Sequence, residues 1–273
     1  MQLDFITVVF DEEVSLLPWQ AKSICRYVDP LIINKIILVD NGSQQCAIDP
    51  AWYGKLCDKV EVITHKDLKL KVFQSLDGWR TQQLCKILAS ARSTVDWSVV
   101  LDAKTLFAKT FNEAELFVDA RPCVGITPIH KHWDDSKMFL EEFFNIKIEH
   151  VLGPGGVPFF FHNETIRTLV KSIDEFNNWF QQNLYEPMPP HRTLVTEFML
   201  YSAFVLKTYK RFDQLYKKEQ KLISFNVADF EVEKFEQIFT TEAHTVSVAE
   251  KTKKFLTNDQ LVRWETFLND KYN

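Results

Sequence analysis

Short apolar runs rich in β-branched and aromatic residues alternate with helix-spaced stretches through the first half of this chain. Residues 3–10, 35–39, 60–64 and 99–101 have the length and content of buried strands. Between the first two, residues 14–27 put Leu16, Leu17, Ile24 and Val28 roughly on one face. The acidic opening Asp11-Glu12-Glu13 suits the positive end of that helix. Gly78 opens a second helix, to about residue 92, whose Leu84, Ile87, Leu88 and Ala91 would pack. This alternation predicts an α/β domain with a largely parallel sheet.

The second half reads as more helical. Residues 135–146, 164–184 and 196–209 carry helical patterns, and Thr196 is placed to cap the last. Residues 124–127 and 157–161 read as further strands. Gly153-Pro154-Gly155-Gly156 reads as a loop, either a lid that closes over a donor or an ordinary flexible connection. The expected organisation is a domain over 1–210 with a helical C-terminal extension over 211–273, packed on it without a linker.

Composition changes this picture little, apart from the 23 phenylalanines, which predict an aromatic-rich core. The net charge of −5 argues against a general grip on nucleic acid. Cys25, Cys46, Cys57, Cys85 and Cys123 have no C-x-x-C spacing, so reduced thiols are expected rather than a disulfide frame or a zinc site. No apolar run approaches the roughly 20 residues that span a bilayer, and the N-terminus has no signal-peptide pattern. A cytoplasmic protein of a bacterium or a virus-infected cell is expected.

The candidate chemistry lies at the strand ends. Phe10-Asp11-Glu12, Asp40-Asn41-Gly42-Ser43 and Asp102-Ala103-Lys104 each follow a predicted strand. In open α/β sheets, ligands bind outside the carboxyl ends of the strands. On the helix from Gly78, Trp79, Gln83 and Lys86 fall near one stripe, and Arg80 near its start could reach a phosphate. His130, His132 and Trp133 cluster in a later loop. His162 closes the run Phe159-Phe160-Phe161 and is expected to face the same edge.

These segments, in order, resemble the nucleotide-sugar-binding half of GT-A-type glycosyltransferases. Phe10-Asp-Glu-Glu, Val39-Asp-Asn-Gly-Ser, Gly78-Trp-Arg-Thr-Gln-Gln-Leu-Cys-Lys, Leu101-Asp-Ala-Lys-Thr-Leu-Phe and Thr196-Glu-Phe-Met-Leu-Tyr carry the resemblance. They are most similar to a poorly characterised bacterial and viral glycosyltransferase-like family with an Asp-Ala-Asp or Asp-Ala-Lys turn. The likeness covers residues 1–210. It implies a GT-A-like, Rossmann-like mixed sheet flanked by helices, and transfer of a sugar from a nucleoside diphosphate sugar, with UDP expected. The acceptor hydroxyl would belong to a glycan, a protein or a modified base.

The resemblance also implies roles. Phe10, Asp11, Asp40, Arg80, Gln83, Lys86, Asp102 and Lys104 would hold the donor. His130, Trp133 and Tyr201 would touch the acceptor. Glu197 would be the base of an inverting reaction, deprotonating the attacking hydroxyl. Asp102 would hold sugar hydroxyls or a metal ion, for which Mn²⁺ or Mg²⁺ would suit oxygen ligands.

Lys104 stands where the usual turn has its second carboxylate. One reading gives it the diphosphate charge to neutralise, without a metal. Another turns it away and leaves a metal to Asp102 with a distant ligand such as His162 or His244. A third leaves a site that binds but does not catalyse. A non-catalytic nucleotide-sugar or glycan-binding protein is therefore the alternative function. A nucleotidyltransferase ranks lower, because Phe10-Asp-Glu-Glu13 is acidic and lacks glycine.

Overall fold

The computed structural model describes residues 1–42, 45–70, 78–153, 157–183, 195–227, 243–248 and 258–272. In chain order its strands are β1 (Leu3–Val9), β2 (Ile33–Asp40), β3 (Val60–Thr64), β4 (Trp97–Asp102), β5 (Thr105–Phe107), β6 (Phe117–Val118), β7 (Arg121–Val124), β8 (Ile126–Pro128), β9 (His150–Leu152), β10 (Phe159–His162), β11 (Lys217–Lys218), β12 (Ser224–Val227) and β13 (Thr245–Val248). The helices are α1 (Leu17–Tyr27), α2 (Gly78–Arg92), α3 (Glu113–Leu116), α4 (Asp134–Phe144), α5 (Asn163–Ser172), α6 (Phe176–Asn183), α7 (Glu197–Tyr209) and α8 (Asn258–Tyr272).

The main sheet has the order β10-β4-β1-β2-β3. β4, β1, β2 and β3 are parallel, so their carboxyl ends share one edge. The register sets Val8 beside Asp102, Val9 beside Asp40, and Asp40 beside Thr64. All seven residues of β1 are buried, as expected for a strand covered on both faces.

β10 runs antiparallel to β4, with Phe159 beside Val100 and His162 beside Trp97. Its carboxyl end therefore lies at the opposite edge, and His162 does not face Asp102. Five residue steps along β4, from Trp97 to Asp102, separate their rows, roughly 16 Å at the rise of a strand.

Two elements divide where single ones are expected. The helix predicted over 164–184 breaks between α5 and α6, where Glu175 takes a positive φ of 48°. The strand predicted over 124–127 becomes the end of β7 and the start of β8, interrupted at Gly125.

The phenylalanines do gather in the core. Phe111 packs against Phe5 and Phe107 at centroid distances of 5.8 and 5.1 Å, and Phe117 meets Phe160 edge-on at 5.4 Å. The C-terminal segments join the same body. β11 pairs with β7 and β13 with β5, while Leu268 and Tyr272 of α8 pack with Leu16 and Leu106.

Candidate active site

Asp102 ends β4 at the carboxyl edge, and two lysines flank its carboxylate. Lys86 Nζ lies 2.8 Å from Oδ1, to which Gln82 also donates from 3.0 Å. Lys104 Nζ lies 3.5 Å from Oδ2. Gln82 and Lys86 reach the same oxygen because they are four apart on α2, one turn above each other.

Lys86 also touches Glu197 Oε1, at 3.2 Å. Both are nearly sealed, at 4% and 5% exposure. Glu197 opens α7, and Thr196 caps that helix by accepting from the Met199 N–H at 3.3 Å. The Glu197 N–H donates to Gln83 Oε1 at 3.2 Å. The Lys86 ammonium further sits 5.4 Å from the centre of the Phe198 ring.

This arrangement sets the charges. Burial works to lower the Lys86 pKa, but the Asp102 and Glu197 carboxylates overcome it and the net direction is upward. Burial works to raise that of Asp102, and Lys86 with Lys104 brings it below the usual carboxylate value. Burial raises that of Glu197, and Lys86, shared with Asp102, opposes this only in part. One carboxylate is thus held ionised while the other is made more basic.

Two cavities meet at this cluster. The smaller, about 250 Å³, is lined by Gln82, Lys86, Asp102, Lys104, Thr127, His130, Trp133, Thr196, Glu197 and Phe198, among others. The larger, about 450 Å³, runs from Asp102 and Lys104 past Cys123, Gly125 and Phe159 to Tyr216, Gln220, Ser224 and Ser247. They share Asp102, Lys104, Leu152, Gly153 and Val157.

The model of a family of unknown function, DUF6492, matches residues 3–256. The chain belongs to this family. No curated protein matches it. Among solved structures, it is similar to the galactosyltransferase LgtC in complex with donor and acceptor sugar analogs. That match has 10% identity and a TM-score of 0.51, covering 99% of this chain and 95% of that one. It is also similar to the WbbM bifunctional glycosyltransferase in its apo form, at 9% identity and a TM-score of 0.47, covering 99% of this chain and 51% of that one. The LgtC likeness shows the fold, that of GT-A glycosyltransferases.

The structure brings together Lys86, Asp102, Lys104 and Glu197, with His130 and Trp133 on the wall of the smaller cavity. Gln82, which the sequence stripe passes over, reaches Asp102, while Gln83 supports the Glu197 backbone instead. The four-residue spacing of Gln82 and Lys86 is the signal that identifies it.

Other expected residues lie elsewhere. The Asp40 carboxylate is buried and accepts the N–H groups of Gly42 and Cys46, at 3.0 and 2.9 Å, so it organises its own loop. Asp11 is exposed near Cys46, and Phe10 is half-buried beside it; neither lines a cavity described above. Arg80 lies on the first turn of α2, its side chain outside the described residues, as are 154–156 of the expected closing loop.

Tyr201, expected at the acceptor, lines neither cavity. It is fully buried, with its hydroxyl 2.5 Å from that of Tyr216 and accepting the His162 N–H at 2.9 Å. His162 bonds Thr165 through Nδ1 at 2.9 Å and meets the Trp97 ring at a tilt, with centroids 4.9 Å apart. His244 Nδ1 accepts the Ile223 N–H at 3.3 Å, and its carbonyl takes the Ala108 N–H.

A divalent cation does not fit the donor set at Asp102. Each carboxylate oxygen faces an ammonium group, and those charges repel a metal. His162 is at the far edge of the sheet. Among the described residues, no three His, Cys, Asp or Glu side chains are grouped to hold a metal ion.

Proposed function

We propose that this protein is a glycosyltransferase that moves a sugar from a nucleoside diphosphate sugar, UDP being the expected nucleotide, to a hydroxyl acceptor. The single observation that carries this reading is the shared cavity at the carboxyl edge. There Glu197, made more basic by burial, stands across one lysine from the Asp102–Lys104 pair. The fold likeness to a galactosyltransferase bound to donor and acceptor sugar analogs supports it.

In this reading the reaction inverts the anomeric carbon. Glu197 takes the proton of the acceptor hydroxyl as its oxygen attacks that carbon. The bond to the diphosphate breaks, and its electron pair leaves on the diphosphate oxygen. Lys104, on the wall of both cavities, offsets the charge that develops there. Asp102 accepts from hydroxyls of the transferred sugar, and Lys86 holds the two carboxylates in place. His130 and Trp133 meet the acceptor. No metal takes part, since two ammonium groups occupy the surroundings of Asp102.

The test is release of nucleoside diphosphate from a panel of UDP- and GDP-sugars, with pooled glycan and protein acceptors, in EDTA. Acceptor-dependent release in EDTA is expected. Strict dependence on added Mn²⁺ would remove the role given to Lys104. Binding of a nucleotide sugar without any release would favour a non-catalytic binding protein, the reading that the substituted second carboxylate of the turn supports.

A further inference from the structure

The two cavities differ in charge. The smaller is lined by Lys86, Glu197 and His130 in addition to the shared Asp102 and Lys104. Among the described residues, the larger holds no charged side chain beyond that shared pair. Its Cys123 thiol is pushed up from its ordinary pKa by burial and so stays neutral. Away from the shared Asp102–Lys104 edge, a phosphate or carboxylate there would lose its water without a counter-charge.

The wall of the larger cavity is still polar in places. Ser224 Oγ bonds Thr245 Oγ1 at 2.8 Å, and Ser247 Oγ bonds Thr105 Oγ1 at 3.3 Å. A hydroxyl has one donor and two lone pairs, so each serine keeps capacity for a ligand. Gln220 gives an amide N–H to the Leu222 carbonyl at 3.2 Å. Its Oε1 lies against Gly125, where a Cβ would stand only 2.2 Å away, so glycine leaves the room for that amide. Leu222, Val157 and Phe159 supply the apolar part. At about 450 Å³ the cavity has the size of a small-molecule site.

Hydroxyl and amide groups beside apolar carbon, without net charge, suit a pyranose, which presents a rim of hydroxyls and a face of C–H groups. We infer that the larger cavity is a second subsite, which takes a neutral glycosyl unit and has Tyr216, Gln220, Leu222, Ser224 and Ser247 of the C-terminal segment as one wall. This inference rests on the transferase reading for the role of that unit, which belongs either to the donor or to the acceptor. It gives the C-terminal segment a part in substrate selection rather than in packing alone.

The test is a blocked cavity. Ser224 is exposed at the start of β12, so Ser224→Trp should fill the subsite with little effect on the core. Gly125→Ala, which must displace Gln220, is the second variant, and circular dichroism with thermal melting checks both folds. Calorimetry would compare UDP, UDP-glucose, UDP-galactose, UDP-N-acetylglucosamine, lactose and maltose. A loss of tenfold or more for one of the UDP-sugars, with UDP itself unchanged, supports the subsite and assigns it to the donor. The same loss for a free saccharide supports it and assigns it to the acceptor. If both folded variants bind every probe as the wild type does, or if the wild type binds neither a saccharide nor a UDP-sugar, the subsite is overturned. Wild-type binding of a saccharide without binding of UDP would overturn the transferase reading alone, and the saccharide comparison would still decide the subsite.

Discussion

The Lys86 ammonium lies 3.2 Å from the Glu197 carboxylate, across 111 positions of chain. It also lies 2.8 Å from the Asp102 carboxylate. One buried cation thus fixes the distance between a helix start and a strand end. Such an ion group adds little stability over a well-packed apolar core, but removing one member leaves uncompensated charge. Its worth here is the geometry it imposes on the cavity.

Lys86→Met should destabilise the protein by about 3–5 kcal/mol at neutral pH, the usual loss when a buried pair is broken. The defect should shrink in acid, where the two stranded carboxylates protonate. Urea unfolding at pH 7 and pH 4 measures this, and an equal loss at both would mean that Lys86 acts through packing alone.

Glu197→Gln should abolish transfer and leave donor binding intact. Because the folded-state pKa of Glu197 is raised, its ionisation weakens folding as pH rises above the unfolded carboxylate value of about 4.3. The glutamine variant should therefore melt no lower than the wild type at pH 7, and the difference should vanish near pH 4. A marked drop in melting temperature at pH 7 would give Glu197 a structural rather than a catalytic part.

Asp102 has the opposite sign. Its folded-state pKa is lowered by Lys86 and Lys104 against burial, so its contribution is present above the unfolded value of about 3.9 and is lost as pH falls through the folded one. Asp102→Asn should lower stability at pH 7 and converge with the wild type in strong acid, as followed by far-ultraviolet circular dichroism.

Lys104→Ala should weaken UDP binding by roughly tenfold or more, the loss of one charge-assisted contact of about 1.5–3 kcal/mol. The affinity of the wild type should be the same in EDTA and in Mn²⁺. Calorimetric titration under both conditions reads the two effects together.

Thr196→Ala removes the cap of α7 and should cost about 1 kcal/mol of stability. As the helix start carries Glu197, the turnover number should fall more than the affinity for the donor. An unchanged turnover number would separate the cap from the site.

Much of the site was legible before the chain was folded. The apolar run before Asp102 implied a strand, and a strand end in a parallel sheet implied a ligand edge. The Thr196 cap and the helical spacing after it located the start of α7. These are local features: strand length, helical period and capping chemistry act over a few residues, and the sequence carries them directly.

What the sequence determined by itself was therefore the parallel βα half, its polar carboxyl edge, the lysine in place of a second carboxylate, and the residue that opens α7. The tertiary structure alone decided the direction of β10, which carries His162 to the far edge, and the burial of Tyr201 among other hydroxyls. It also decided the choice of Gln82 over Gln83 for Asp102, the joining of Lys86 to Glu197, and the enclosure of the larger cavity by residues 123–125 together with Tyr216, Gln220, Leu222, Ser224 and Ser247. Each depends on which backbone groups pair across long separations and which charges are buried together. No local period encodes those, because their free energy exists only when distant segments exclude water from between them.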